Sequence, residues 1–197
     1  MTPGPGLQRT VLPIGFFASG VNCGVRRYRP DLGLIFSEVD ATAAGVFTLN
    51  ECKAAPVLFS KERLPSNKIR AIVTNSGQAN AATGPEGFTH NTQMAQGVAD
   101  ALKIDLSQVL TASTGVIGQA LAIDKILPSI PELVDRVTDV TESFALAILT
   151  TDLVPKSITT VVPLSSGLTR ITGICKGSGM IHPNMATMLG YLLTDVQ

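Results

Sequence analysis

At 197 residues the chain has room for one domain, or for one domain and part of a second. With 45% hydrophobic and 15% charged residues it can build a packed core, which argues against disorder; with 5% aromatics and no Trp, that core must be filled by Ala, Val, Ile and Leu. The 15 basic residues balance 15 acidic ones, and no Lys/Arg stripe is present, so nucleic acid and anionic membrane surfaces are poor partners.

The cluster Arg26-Arg27-Tyr28-Arg29 reads as a solvated turn. Cys23, Cys52 and Cys175 are odd in number and widely spaced, which fits free thiols in a reducing cytoplasm. No apolar run is long enough to span a bilayer. The short apolar patch 11–18 follows Arg9 but contains Pro13 and Gly15 and makes a poor signal peptide, so a cytoplasmic location is expected.

In chain order, residues 1–9 carry Pro3, Gly4, Pro5 and Gly6 and read as a flexible lead-in. Residues 32–39 (LGLIFSEV) and 43–49 (AAGVFTL) are β-like runs around a polar turn and are expected to pair as a hairpin. Residues 55–63 fit neither pattern cleanly. Residues 70–74 (RAIVT) predict a strand leading into a polar loop, NSGQAN, at 75–80. Gly84-Pro85-Glu86 starts a helix, since Pro suits its first turn and an acid complements its positive end; Phe88, Asn91, Ala95, Val98 and Leu102 continue it at helical spacing.

A strand at 109–113 is expected to end in the turn Thr114-Gly115-Val116-Ile117-Gly118. A helical pattern through Ile123, Ile126, Ile130 and Val134 is interrupted by Pro128 and Pro131, and Ser129 with Glu132 could cap a second helix there. Residues 141–149 predict a third helix, and 158–164, 168–175 and 187–193 predict strands. This order of elements implies an α+β or layered α/β fold.

Several segments carry residues suited to chemistry. At Ala186-Thr187 the Thr hydroxyl can attack the carbonyl before its own nitrogen, and hydrolysis of the resulting ester frees an N-terminal Thr. Its α-amine, with an ordinary pKa of about 8, then serves as the base for its hydroxyl. By spacing alone the same pair reads as a strand start. Thr114 and Gly115, at the end of a strand, could offer a hydroxyl and a backbone N–H to an oxyanion, or form an ordinary turn. Lys176-Gly177-Ser178-Gly179 could hold a carboxylate, and Thr150-Thr151-Asp152 could present hydroxyls to a ligand or simply end a helix. His90 and His182 are not spaced as metal ligands, and no metal site is expected.

NSGQANAATG, ASTGVIG, TTDLVPK and KGSGMIHPNMATML, in this order and spacing, closely resemble the ornithine acetyltransferase family, also called glutamate N-acetyltransferase. AAGVFT and KAAPV extend the resemblance over most of the chain, although Ala82 stands where many members carry Cys. The resemblance implies a layered α/β fold with catalytic logic like that of N-terminal-nucleophile hydrolases. It implies self-cleavage between Ala186 and Thr187, with residues 1–186 forming the α-chain portion and 187–197 the start of a β chain whose remainder is absent. Thr187 would carry the acetyl group from N2-acetylornithine to glutamate in arginine biosynthesis; some members also accept acetyl-CoA as donor, and no cofactor is required. Thr114 and Gly115 match the family's oxyanion hole, and Thr150 and Lys176 its ligand contacts. The implied partners are the β chain of the same precursor and further copies, giving α2β2 or larger. Two other readings stay open: an N-terminal-nucleophile amidohydrolase or aminopeptidase that uses water as acceptor, and a non-catalytic scaffold half.

Overall fold

The computed structural model describes residues 9–165, 167–179 and 188–196. A central four-stranded sheet has the order β1 (Phe16–Val21), β2 (Leu32–Ala43), β3 (Ser66–Gln78), β4 (Val109–Val116). The first two pairings are antiparallel and β3–β4 is parallel, joined by a crossover through α2 (Gly84–Leu102). A second, antiparallel sheet has the order β5 (Lys156–Leu164), β6 (Gly167–Lys176), β7 (Leu189–Thr194).

Alternation along the central strands divides the core in two. Leu32, Leu34, Ala71 and Val73 face one side, where they pack with Met94, Ala95 and Val98 of α2 and with Ile126, Ile130 and Leu133 of α3 (Ile123–Asp135). Phe59 of α1 (Ala55–Lys61) completes this layer. Ala18, Ile35 and Ile72 face the other side, against Phe144 and Ile148 of the α4 region (α4, Glu142–Ala147) and Ile174 and Leu193 of the second sheet. Phe144 stacks edge-on against Tyr191, with centroids 5.2 Å apart, and the Tyr191 hydroxyl lies 2.7 Å from Thr74 Oγ1. The central sheet is thus covered on both faces, giving the layered α/β arrangement expected.

Four local expectations fail for physical reasons. Residues 44–50 form no strand: β2 has run on to Ala43, and beyond it Val46 and Leu49 are exposed with no face to bury against. The polar segment after Thr74 is not a loop, because β3 continues to Gln78 in register with β4. Likewise β4 continues through Thr114 and Gly115 to Val116. Pro128 and Pro131 do not divide α3; both lie on its exposed side, where the carbonyls they free can reach water, while Ile126, Ile130 and Leu133 hold the helix to the core. Ser129 therefore makes no cap, and its hydroxyl donates to Lys125 O at 3.0 Å within the helix. Strand β1 and helix α1 had no distinct signature in the sequence.

Candidate active site

The site begins where the parallel strands β3 and β4 end together. Ser76 pairs with Thr114 and Gly77 with Gly115. Gly115 has φ +133°, a region L side chains rarely adopt, and a Cβ there would lie 2.3 Å from the Gly77 carbonyl carbon. A Cβ on Gly77, at φ +113°, would lie 2.6 Å from Val25 Cγ1. Two glycines therefore let strands β3 and β4 and the Val25 side chain close up beside Thr114, which is buried. The edges of this turn are hydrogen-bonded: Ala79 N donates to Val116 O at 2.9 Å, Gly118 N to Ala81 O at 2.8 Å, and Ser113 Oγ to Asn75 Oδ1.

A second cluster forms where α4 and β6 end. Lys176 is 3% exposed, and its ammonium donates to Thr150 Oγ1 at 2.9 Å. Burial pushes the Lys176 pKa down; Asp152 opposes that shift, and Arg26 and Lys156 add to it. Asp152 Oδ1 accepts from Lys156 Nζ at 2.6 Å and from Gly177 N at 2.8 Å. Burial raises the Asp152 pKa, but the Lys156 hydrogen bond, the Gly177 and Thr150 amides and the Lys156 charge outweigh it and bring it to about 2.

The segment between β1 and β2 joins the two clusters. Val25 lies against Gly77, and the next residue, Arg26, sends its guanidinium to Leu149 O and, at 3.2 Å, to Thr150 O. Arg29 reaches Thr150 O at 3.1 Å. Asp31, wholly buried, anchors this segment by accepting from Cys23 N at 2.6 Å and from Arg26 N at 2.7 Å. The solvated turn expected at Arg26-Arg27-Tyr28-Arg29 is thus only half correct. Arg27 and Tyr28 are exposed, but Arg26 and Arg29 clamp the carbonyls at the end of the α4 region.

Thr114, Gly115, Thr150 and Lys176 are therefore brought to one region, bridged by Val25 and Arg26. Ala186, Thr187 and His182 lie outside the described residues. His90 sits on α2 with Nε2 3.8 Å from Glu86. Among the described residues, no group of three or more His, Cys, Asp or Glu side chains is placed to hold a metal ion, and no helix is long and apolar enough to cross a membrane. Cys23, Cys52 and Cys175 are free thiols, as expected, and burial raises the pKa of Cys23 to about 12. Sequence reasoning missed Asp152, Arg26 and Arg29 as site residues. The arginines' partners lie more than a hundred residues away, and Asp152, though four residues from Lys156, gains its link to Gly177 only in the folded chain, so no local spacing could reveal these contacts.

A central sheet covered on both faces, whose paired parallel strands close on two glycines beside Thr114 and are tied through Val25 and Arg26 to the segment that holds a buried ammonium, defines a layered α/β protein. The ArgJ family profile matches residues 17–197. The "Arginine biosynthesis bifunctional protein ArgJ" of Thermotoga neapolitana is 48% identical over 186 residues, covering 93% of this chain and 47% of that protein. Its namesake from Synechococcus sp. is 50% identical over 186 residues, covering 93% and 45%. The crystal structure of the argJ protein from Bacillus halodurans superposes with a TM-score of 0.83 at 39% identity, covering 90% of this chain and 92% of that one. That of the ornithine acetyltransferase of Mycobacterium tuberculosis, complexed with ornithine, gives 0.82 at 39% identity, covering 89% and 95%. The chain belongs to the ArgJ family. It spans about half the length of the curated relatives it matches.

Proposed function

We propose that this chain contributes the first part of an acetyltransferase that moves an acetyl group from N2-acetylornithine to glutamate in arginine biosynthesis. The observation that carries this reading is the buried Lys176 ammonium on Thr150 Oγ1, tied through Arg26 to the Gly77–Gly115 closure. It is a preformed cation for the α-carboxylate that donor and acceptor share. The names of the relatives, and the ornithine in one of the similar structures, support the same reading.

In this scheme the Thr187 hydroxyl attacks the Ala186 carbonyl, the peptide nitrogen leaves as the Thr187 amine, and water hydrolyses the ester. Residues 1–186 then form the α portion and 187–197 the start of the β portion. Thr187 Oγ next attacks the acetyl carbonyl, its proton passing to the Thr187 amine and on to the departing amine of ornithine. Thr114 and the Gly115 backbone N–H stabilise the oxyanion. The amine of glutamate then attacks the acetyl-Thr ester and regenerates Thr187. One pocket serves both substrates in turn, so the kinetics are ping-pong. No cofactor enters, and acetyl-CoA is a second donor to be tried in the same assay. Pairing with the β chain as α2β2 or larger, in the cytoplasm, completes the proposal.

The test is turnover of N2-acetylornithine by the product of the complete reading frame, with and without glutamate. Ornithine and N-acetylglutamate should form together, and only when glutamate is present. Ornithine and free acetate without glutamate would mean a hydrolase instead. Lys176→Ala should raise KM for both substrates by about tenfold to a hundredfold, the range for losing a charged hydrogen bond. Unchanged affinity for both would remove Lys176 from the site.

A further inference from the structure

Three segments of chain meet at one carboxylate. Asp152 is 3% exposed, and its partners are Lys156 at the start of β5, Gly177 just after β6, and the Thr150 backbone N–H at a long 3.5 Å. Gly177 follows Lys176, and Thr150 is the residue whose hydroxyl accepts from Lys176. Asp152 thus fixes both ends of the Lys176–Thr150 contact. An exposed Lys–Asp pair four residues apart would contribute little. This one is buried on the acid side and also holds the backbone amide of Gly177, just past the end of β6.

We propose that Asp152 is a positioning residue of the acetyl-transfer site: its carboxylate locks the Thr150 turn to the Lys176 turn and supplies the counter-charge that keeps the buried ammonium ready for a substrate carboxylate. The inference rests on the acetyltransferase reading and extends it to a residue that acts through Lys176 and Thr150. Among the described residues, the charged groups that act on Lys176 are Asp152, Arg26 and Lys156, and Arg29 donates to the Thr150 carbonyl. Burial, Arg26 and Lys156 all favour loss of the Lys176 proton, and Asp152 alone among these groups opposes it.

The experiment uses enzyme from the complete reading frame. It measures KM and kcat for N2-acetylornithine and glutamate, and kcat/KM over about pH 6 to 10, the range that brackets an amine with a lowered pKa. Asp152→Asn should raise both KM values about tenfold with a smaller change in kcat, and should move the alkaline limb of kcat/KM down by about one pH unit or more. Asp152→Glu should restore the limb. Lys156→Met removes a cation near Lys176 while Asp152 keeps the Gly177 amide, so it should move the limb up, a result that simple loss of structure would not produce. A folded Asp152→Asn enzyme with wild-type KM and an unmoved limb overturns the proposal. If that variant does not fold, Lys156→Met decides: a limb that stays or moves down overturns it. A wild-type enzyme that transfers no acetyl group overturns the acetyltransferase reading and this inference with it, whereas normal wild-type transfer with unmoved variants overturns this inference alone.

Discussion

Gly115→Ala is expected to lower both stability and acetyl transfer sharply. The new Cβ would lie 2.3 Å from the Gly77 carbonyl carbon and 2.4 Å from its oxygen, closer than real Cβ contacts come. Both neighbours are backbone, so no side chain can swing aside. The residue would also have to hold φ +133° or surrender it. A strained backbone and forced strand separation together cost about 3 kcal/mol, or a Tm lower by roughly 6–12 °C for a chain of this size. If β4 instead shifts away from β3, the Ala79 N–H to Val116 O bond goes with it and the proposed oxyanion donors at Thr114 and Gly115 move off target. Loss of one such donor lowers kcat by about a hundredfold or more. Thermal unfolding and steady-state kinetics on the same preparation check both halves. Wild-type values for each would show that neither the close approach nor the turn matters.

Thr187→Ala should leave the chain in one piece and lower acetyl transfer by about ten-thousandfold or more, as loss of a nucleophile does. Two steps are removed at once. In the proposed scheme, without the hydroxyl no ester forms at Ala186, so no α-amine is released, and no oxygen remains to carry the acetyl group. Intact-mass spectrometry on the product of the complete reading frame reads the first step and the acetylornithine assay reads the second. Thr187→Ser keeps the attacking oxygen and should still cleave. A wild-type chain that stays unbroken while transferring acetyl groups at full rate would transfer the nucleophile role to another residue.

What the sequence made legible was local. The start of α2 was readable because Gly84-Pro85-Glu86 acts through its own helix, and the β5–β6 hairpin because alternation and a Ser/Gly turn lie side by side. The extension of β3 through Asn75 and Gln78 was not readable, since those polar residues belong to a strand only because β4, over thirty residues on, pairs with them. The continuity of α3 through two prolines was hidden for a similar reason: the buried stripe of Ile126, Ile130 and Leu133 outweighs a local penalty. At the site, Thr114, Gly115, Thr150 and Lys176 were named from motifs. The Asp152, Arg26 and Arg29 contacts that tie those motifs together exist only in the folded chain.

Strand β7 begins two residues after Thr187, yet it is woven into the sheet built by residues before it. Leu189 to Thr194 pair with β6 along its length, Leu193 is buried against the central layer, and Asp195 accepts from Ile14 N and Arg170 N. If the bond ahead of Thr187 opens as proposed, the covalent chain ends there but the sheet does not. The new terminus would be moored within two residues of a fixed strand, and the two products could part only by unravelling β7 from β6. Such a cut changes which atoms are reactive while leaving the architecture whole, so separation of the pieces becomes an unfolding event rather than a dissociation.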